Sequence, residues 1–214
     1  MEFLSLPQEI IFLIASNLES VDLLRLLQTN HYLYNILLRE LRKNDVKTSG
    51  GMALSFYAFY GDEAGVIDML DLGTTVDLPN PRYRDHPPLV LAVSRHHASV
   101  VRVLIDRGAD VNHSISYRTP LETAIRMAPS DDLSMIELLL DRGADVNLKG
   151  NKSRTALSTA VLLGKPETVA LLLARGADVN ARDCQGHTAL KLARGIKPHS
   201  PEKQQWLLHA GATE

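Results

Sequence analysis

The sequence predicts an all-α solenoid of about five helix–turn–helix units, preceded by a separate three-helix module. Three observations predict it. The phrase Arg107-Gly108-Ala109-Asp110-Val111-Asn112 returns at 142–147 and at 175–180, with weaker copies at Gly73-Thr74-Thr75-Val76-Asp77 and Gly211-Ala212-Thr213. The glycines stand at 73, 108, 143, 176 and 211, a period of 33 to 35 residues. A second phrase opens each unit, clearest as Thr119-Pro120-Leu121-Glu122-Thr123-Ala124, repeated from Thr155 and Thr188 and, more loosely, from Met52 and Pro87. Two phrases recurring in fixed order mark stacked repeats, each sealing its neighbour's apolar face. Residues 1–45 carry neither phrase and stand apart.

The N-terminal module reads as three short helices. Ser5-Leu6-Pro7-Gln8 can start the first, with Ile10, Ile11, Ile14 and Leu18 as its apolar positions. Ser20 can cap the second, Val21 to Leu27, and Asn30 the third, where Leu33, Ile36, Leu37 and Leu41 fall at helical spacing. The polar run from Arg42 to Gly50 reads as a link to the repeats, with 46–50 as the linker proper. The repeats then divide approximately into 51–85, 86–117, 118–153, 154–186 and 187–214.

The phrase Leu6-Pro7-Gln8-Glu9-Ile10, followed by Ile14, Leu18 and Asp22-Leu23-Leu24-Arg25-Leu26, resembles the F-box. That family is a three-helix module that docks on the Skp adaptor of cullin–RING ubiquitin ligases. The resemblance covers about residues 4 to 41 and departs in the third helix, where Asn30 and Leu33 replace the commoner cysteine and tryptophan. It implies Leu6, Pro7, Ile10, Leu18, Leu23 and Leu24 as adaptor contacts. Read from the residues alone, three short helices bury little apolar surface and suit docking on a partner, the alternative being that they merely cover the exposed apolar end of the repeat stack.

Within a repeat each part has a physical role. Thr119 can cap a helix, Pro120 suits its first turn, and Glu122 stands where a capping box places its acid. The small Ala124 and Ala160 let helices approach, and Gly61 and Gly164 suit the turn between paired helices. Pro166 and Pro201, each followed by glutamate, start second helices with favourable dipole polarity. Gly108, Gly143 and Gly176 fit the left-handed residue that ends them. This unit resembles the ankyrin repeat over residues 51 to 214. The family's histidine is replaced by Ser55, Val90, Glu122, Ser158 and Lys191, so its hydrogen-bond network is absent or altered. Extra residues lie around Ala128 to Asp132, Pro79 and Pro81 stiffen a longer first loop, and the last helix is polar, as a terminal repeat requires. With the repeats in place, Thr29 to Tyr34 looks like variants frequent in fungal F-box proteins that carry ankyrin repeats.

The 214 residues are 45% apolar and 22% charged, enough to bury a core and too apolar for disorder. The formal net charge of -2 recruits neither nucleic acid nor membrane. The single cysteine, Cys184, supports neither a disulfide framework nor a thiolate metal site. Glu2, Pro7, Gln8 and Glu9 break any signal-peptide pattern, so an intracellular protein, cytoplasmic or nuclear, is expected. No phosphate loop, zinc motif or nucleophile elbow can be read, and the pair His96-His97 is expected to face solvent in an inter-helix turn. No enzyme, catalytic residue, cofactor or metal is expected.

Taken together, the resemblances imply a substrate-recognition adaptor of a Skp–cullin–F-box ubiquitin ligase, the repeats holding the target. The alternative is an ankyrin scaffold or inhibitor without a ubiquitin link. In the ankyrin family partners lie against the turn tips and first helices. The matching residues are Tyr60, Arg84, Tyr117, Arg118 and Arg126 in the first half of the stack, and Lys152, Arg154, Arg182 and His187 in the second. Their positive balance implies a target with an acidic or phosphorylated segment.

Overall fold

The computed structural model describes residues 42, 46, 53–113, 118–128, 132–163, 165–195 and 201–213. The F-box-like stretch, with Leu6, Pro7, Ile10, Leu18, Leu23 and Leu24, lies outside the described residues, as does Tyr117. Among the described residues ten α-helices pair into five hairpins: α1 (Ala53–Tyr60) with α2 (Glu63–Asp71), α3 (Pro88–Ser94) with α4 (Ala98–Asp106), α5 (Pro120–Met127) with α6 (Ser134–Asp141), α7 (Ala156–Leu163) with α8 (Pro166–Ala174), and α9 (Ala189–Gly195) with α10 (Pro201–His209). First helices pack on first helices of the next unit, and second helices form an outer layer. No strand occurs among the described residues; an antiparallel bridge joins Asn80 to His86.

Local chemistry explains the boundaries. Thr119 Oγ1 accepts the Glu122 N–H at 3.0 Å, and Thr155 and Thr188 do the same for Ser158 and Lys191 at 3.3 and 3.4 Å. Glu122 does not close a capping box. Its carboxylate turns forward to Arg126, four residues on, because an i,i+4 ion pair is within reach along the same face. Each second helix ends at a glycine of positive φ. At Gly143 (φ 89°) the Ala144 N–H reaches back to Leu139 O at 2.9 Å and the Gly143 N–H to Leu140 O at 3.1 Å, which closes the last carbonyls of α6. The same pair of bonds ends α2, α4, α8 and α10.

The core runs through the stack as one body. Leu54, Leu89, Leu121, Leu157 and Leu190, the leucines of the opening phrase, are all buried. Ala92, Ala124, Ala160 and Ala193 lie behind them and leave room for neighbouring helices to close. At one end the packing continues into the segment read as a polar link. Arg42 and Val46 are helical there. Arg42 is buried, its Nε donates to Tyr57 Oη at 3.1 Å, its guanidinium lies 4.8 Å over the Tyr57 ring and it pairs with Asp68. Val46 packs against the core. Tyr57 is wedged close to α2, where a Cβ at Gly65 would come within 2.4 Å of its ring.

Candidate protein-binding surface

The repeating phrase builds a spine along the C-terminal ends of the outer helices. Arg107 donates to Asp71 at 2.7 Å, Arg142 to Asp106 at 2.7 Å and Arg175 to Asp141 at 2.8 Å, each bridging to the unit before. The asparagine bridges to the unit after. Asn147 Oδ1 accepts the Asp178 N–H at 2.7 Å while its Nδ2 donates to Gly176 O at 3.2 Å. Asn112 and Asn180 repeat the pattern on Asp145 and Gly143, and on Thr213 and Gly211. The aspartates Asp110, Asp145 and Asp178 close turns on Asn112, Asn147 and Asn180 at 2.8 to 2.9 Å. The spine is therefore internally satisfied and offers a partner little.

The inter-helix turns are also engaged. His97 Nε2 meets Phe59 O at 3.1 Å in the unit before, and His96 Nε2 meets Met127 O at 3.0 Å in the unit after. The pair does not simply face solvent, because consecutive residues point to opposite neighbours. His96 adopts a φ of 60° to do so. At the place of His97, Lys165 donates to Ile125 O and Ala128 O at 2.8 and 2.6 Å, and burial lowers its pKa.

At the loop tips the sequence-predicted residues divide. Arg84, Arg118, Lys152 and Arg182 are exposed. Arg84 and Lys152 sit at positive φ, 58° each, in tight turns that include the short helices Pro81–Tyr83 and Asn151–Ser153 or follow them. The pKa of His86, close to Arg84, is lowered by burial and then by the positive charge of Arg118 and Arg84, with Asp85 opposing. Arg182 also donates to Gly186 O at 2.9 Å. Arg154 and His187 are half-buried and turn toward Asp183. Burial alone would raise the Asp183 carboxyl, yet backbone N–H groups of His187 and Gln185, both at 2.9 Å, and the charges of His187 and Arg154 hold it below the ordinary range. Arg154 and His187 thus shape the last tip, and Arg126 is held by Glu122 at 3.0 Å.

The first helices carry the most accessible apolar surface. Tyr60 is 62% exposed, Met127 48%, Phe56 45% and Leu163 42%. Phe56 and Leu163 were not singled out by their sequence. Aligning the opening phrases would have found Leu163, which stands level with Met127, but not Phe56, which stands level with the buried Thr123 and Thr159. Among the described residues no three His, Cys, Asp or Glu side chains gather to hold a metal, and no helix is long and apolar enough to cross a membrane.

No curated protein matches the chain. The family model described as ankyrin repeats (3 copies) matches residues 54–150 and again 126–213, three-quarters of the sequence between them and the whole of the described stack from Leu54 onward. Modules of this kind serve protein–protein interaction. The chain belongs to the ankyrin-repeat family.

Proposed function

We propose that the chain is a recognition subunit of a Skp–cullin–F-box ubiquitin ligase. The repeats hold a target protein, and residues 4–41 attach to the Skp adaptor. The observation that carries the first half is a spine whose side chains bond to neighbouring units, behind a face of exposed, non-repeating side chains. The second half rests on the phrase Leu6-Pro7-Gln8-Glu9-Ile10 and the apolar positions that follow it. The chain supplies position rather than chemistry, raising the local concentration of a target near a ligase. Exposed Arg84, Arg118, Lys152 and Arg182 at the tips favour a target with an acidic or phosphorylated segment. The second reading is a scaffold or inhibitor with no ubiquitin link, and the family match, which covers the repeats, is common to both.

The double substitution Pro7→Ala with Ile10→Glu separates the two. Under the ligase reading it abolishes capture of the Skp adaptor and cullin and leaves the melting temperature of the repeats unchanged. Adaptor capture that survives, or that is absent from the unsubstituted chain, leaves the scaffold reading. Target capture that does not weaken as salt rises to physiological strength would contradict the acidic segment.

A further inference from the structure

Four first helices lie side by side, and the residues at their C-terminal ends form one row: Tyr60, Arg95, Met127 and Leu163. Tyr60, Met127 and Leu163 are among the large apolar side chains most exposed in the described stack, and Phe56 joins them through its ring contact with Tyr60 at 4.5 Å. Isolated exposed apolar residues need no explanation, but several in register make a patch of the kind partners cover.

Arg95 interrupts the row with a charge. Its guanidinium carbon lies 4.1 Å from the centroid of the Phe59 ring, which is itself flanked by Tyr60 and Tyr83 at 5.2 Å. The ring holds the guanidinium by its charge, and the N–H donors of the exposed Arg95 that point away from the ring stay available. Among the described residues no carboxylate pairs with it, whereas Arg107, Arg126, Arg142 and Arg175 all have one. A cation at a helix end is favourable by itself, but that effect asks for neither stacking nor a place among exposed apolar neighbours.

We propose that this row binds an amphipathic helix of the partner, with one of its carboxylates held by Arg95 between apolar anchors on Tyr60 and on Met127 and Leu163. The proposal rests on reading the inner face as a protein-binding surface. The spacing selects a helix. Packed helices lie about 8–10 Å apart, and a heptad advances about 10.5 Å, or about 10 Å along the row when crossed at roughly 20°. Residues seven apart return to one helical face, so each unit meets one residue of the stripe. An extended segment covers the same step in about three residues and turns alternate side chains away. The carboxylate therefore stands seven residues from the first anchor, and the later anchors at fourteen and twenty-one.

A displayed library of helical peptides about 25 residues long, randomised along one face, tests this on the full chain. Selection is expected to enrich an acidic residue at that register. Arg95→Glu is expected to weaken those peptides at least about tenfold without changing the melting temperature, and a lysine in place of the acid to restore binding to the variant. Enriched peptides without the acid, or indifferent to Arg95→Glu, overturn the proposal. If those peptides are still lost on Met127→Asp, the inner face remains a protein-binding surface. An empty selection overturns both.

Discussion

Along the outer edge, Arg107, Arg142 and Arg175 stand at one position of successive units and make the same contact each time, to Asp71, Asp106 and Asp141. Along the ends of the first helices, Tyr60, Arg95, Met127 and Leu163 also stand at one position, and the residue changes at every step. The difference separates two demands on one unit. Contacts that join units are called on again at successive junctions, so their residues recur at the period, with Ala210 taking the arginine's place only at the last junction. A surface that reads one particular partner gains nothing from uniformity. Within a repeat, a position that drifts and stays exposed is where specificity can be carried.

Substitutions sharpen the contrast from largest effect to smallest. Leu139→Ala removes a side chain with no exposed surface between two layers of the stack, and a loss of about 2–5 kcal/mol is expected in chemical denaturation. Asn147→Ala removes two hydrogen bonds to the following unit, at 2.7 and 3.2 Å, and should cost about 1–2 kcal/mol. Truncating a leucine of the drifting row instead, Leu163→Ala, is expected to stay within about 0.5 kcal/mol and to act on binding alone. If Asn147→Ala were neutral in stability while Leu163→Ala were severe, spine and reading surface would have been exchanged.

The sequence disclosed the stack because its signals are local. Thr119 before Pro120, or Gly143 after a run of leucines, fixes a cap or a left-handed end within a few residues. It also placed the exposed Arg84, Arg118 and Lys152 on tips. It misjudged side chains whose partner lies one unit away. His96 and His97 look like free turn residues until the neighbouring Met127 and Phe59 carbonyls are in place. Arg154 looks like a free cation until the neighbouring tip brings the buried Asp183 beside it. Arg42 looks like linker until Asp68 and Tyr57 close on it. Contacts of this kind span about a repeat or less in sequence, yet they are set by the superposition of units, which no single phrase encodes.

The most direct test places a photo-crosslinking amino acid at one of two exposed positions, Met127 on the first-helix row or Arg102 on the outer helix α4, in the full chain bound to its captured partner. Covalent adducts to the partner are expected from position 127 and none from position 102. Adducts from 102 with none from 127 would contradict a partner seated on the first-helix row.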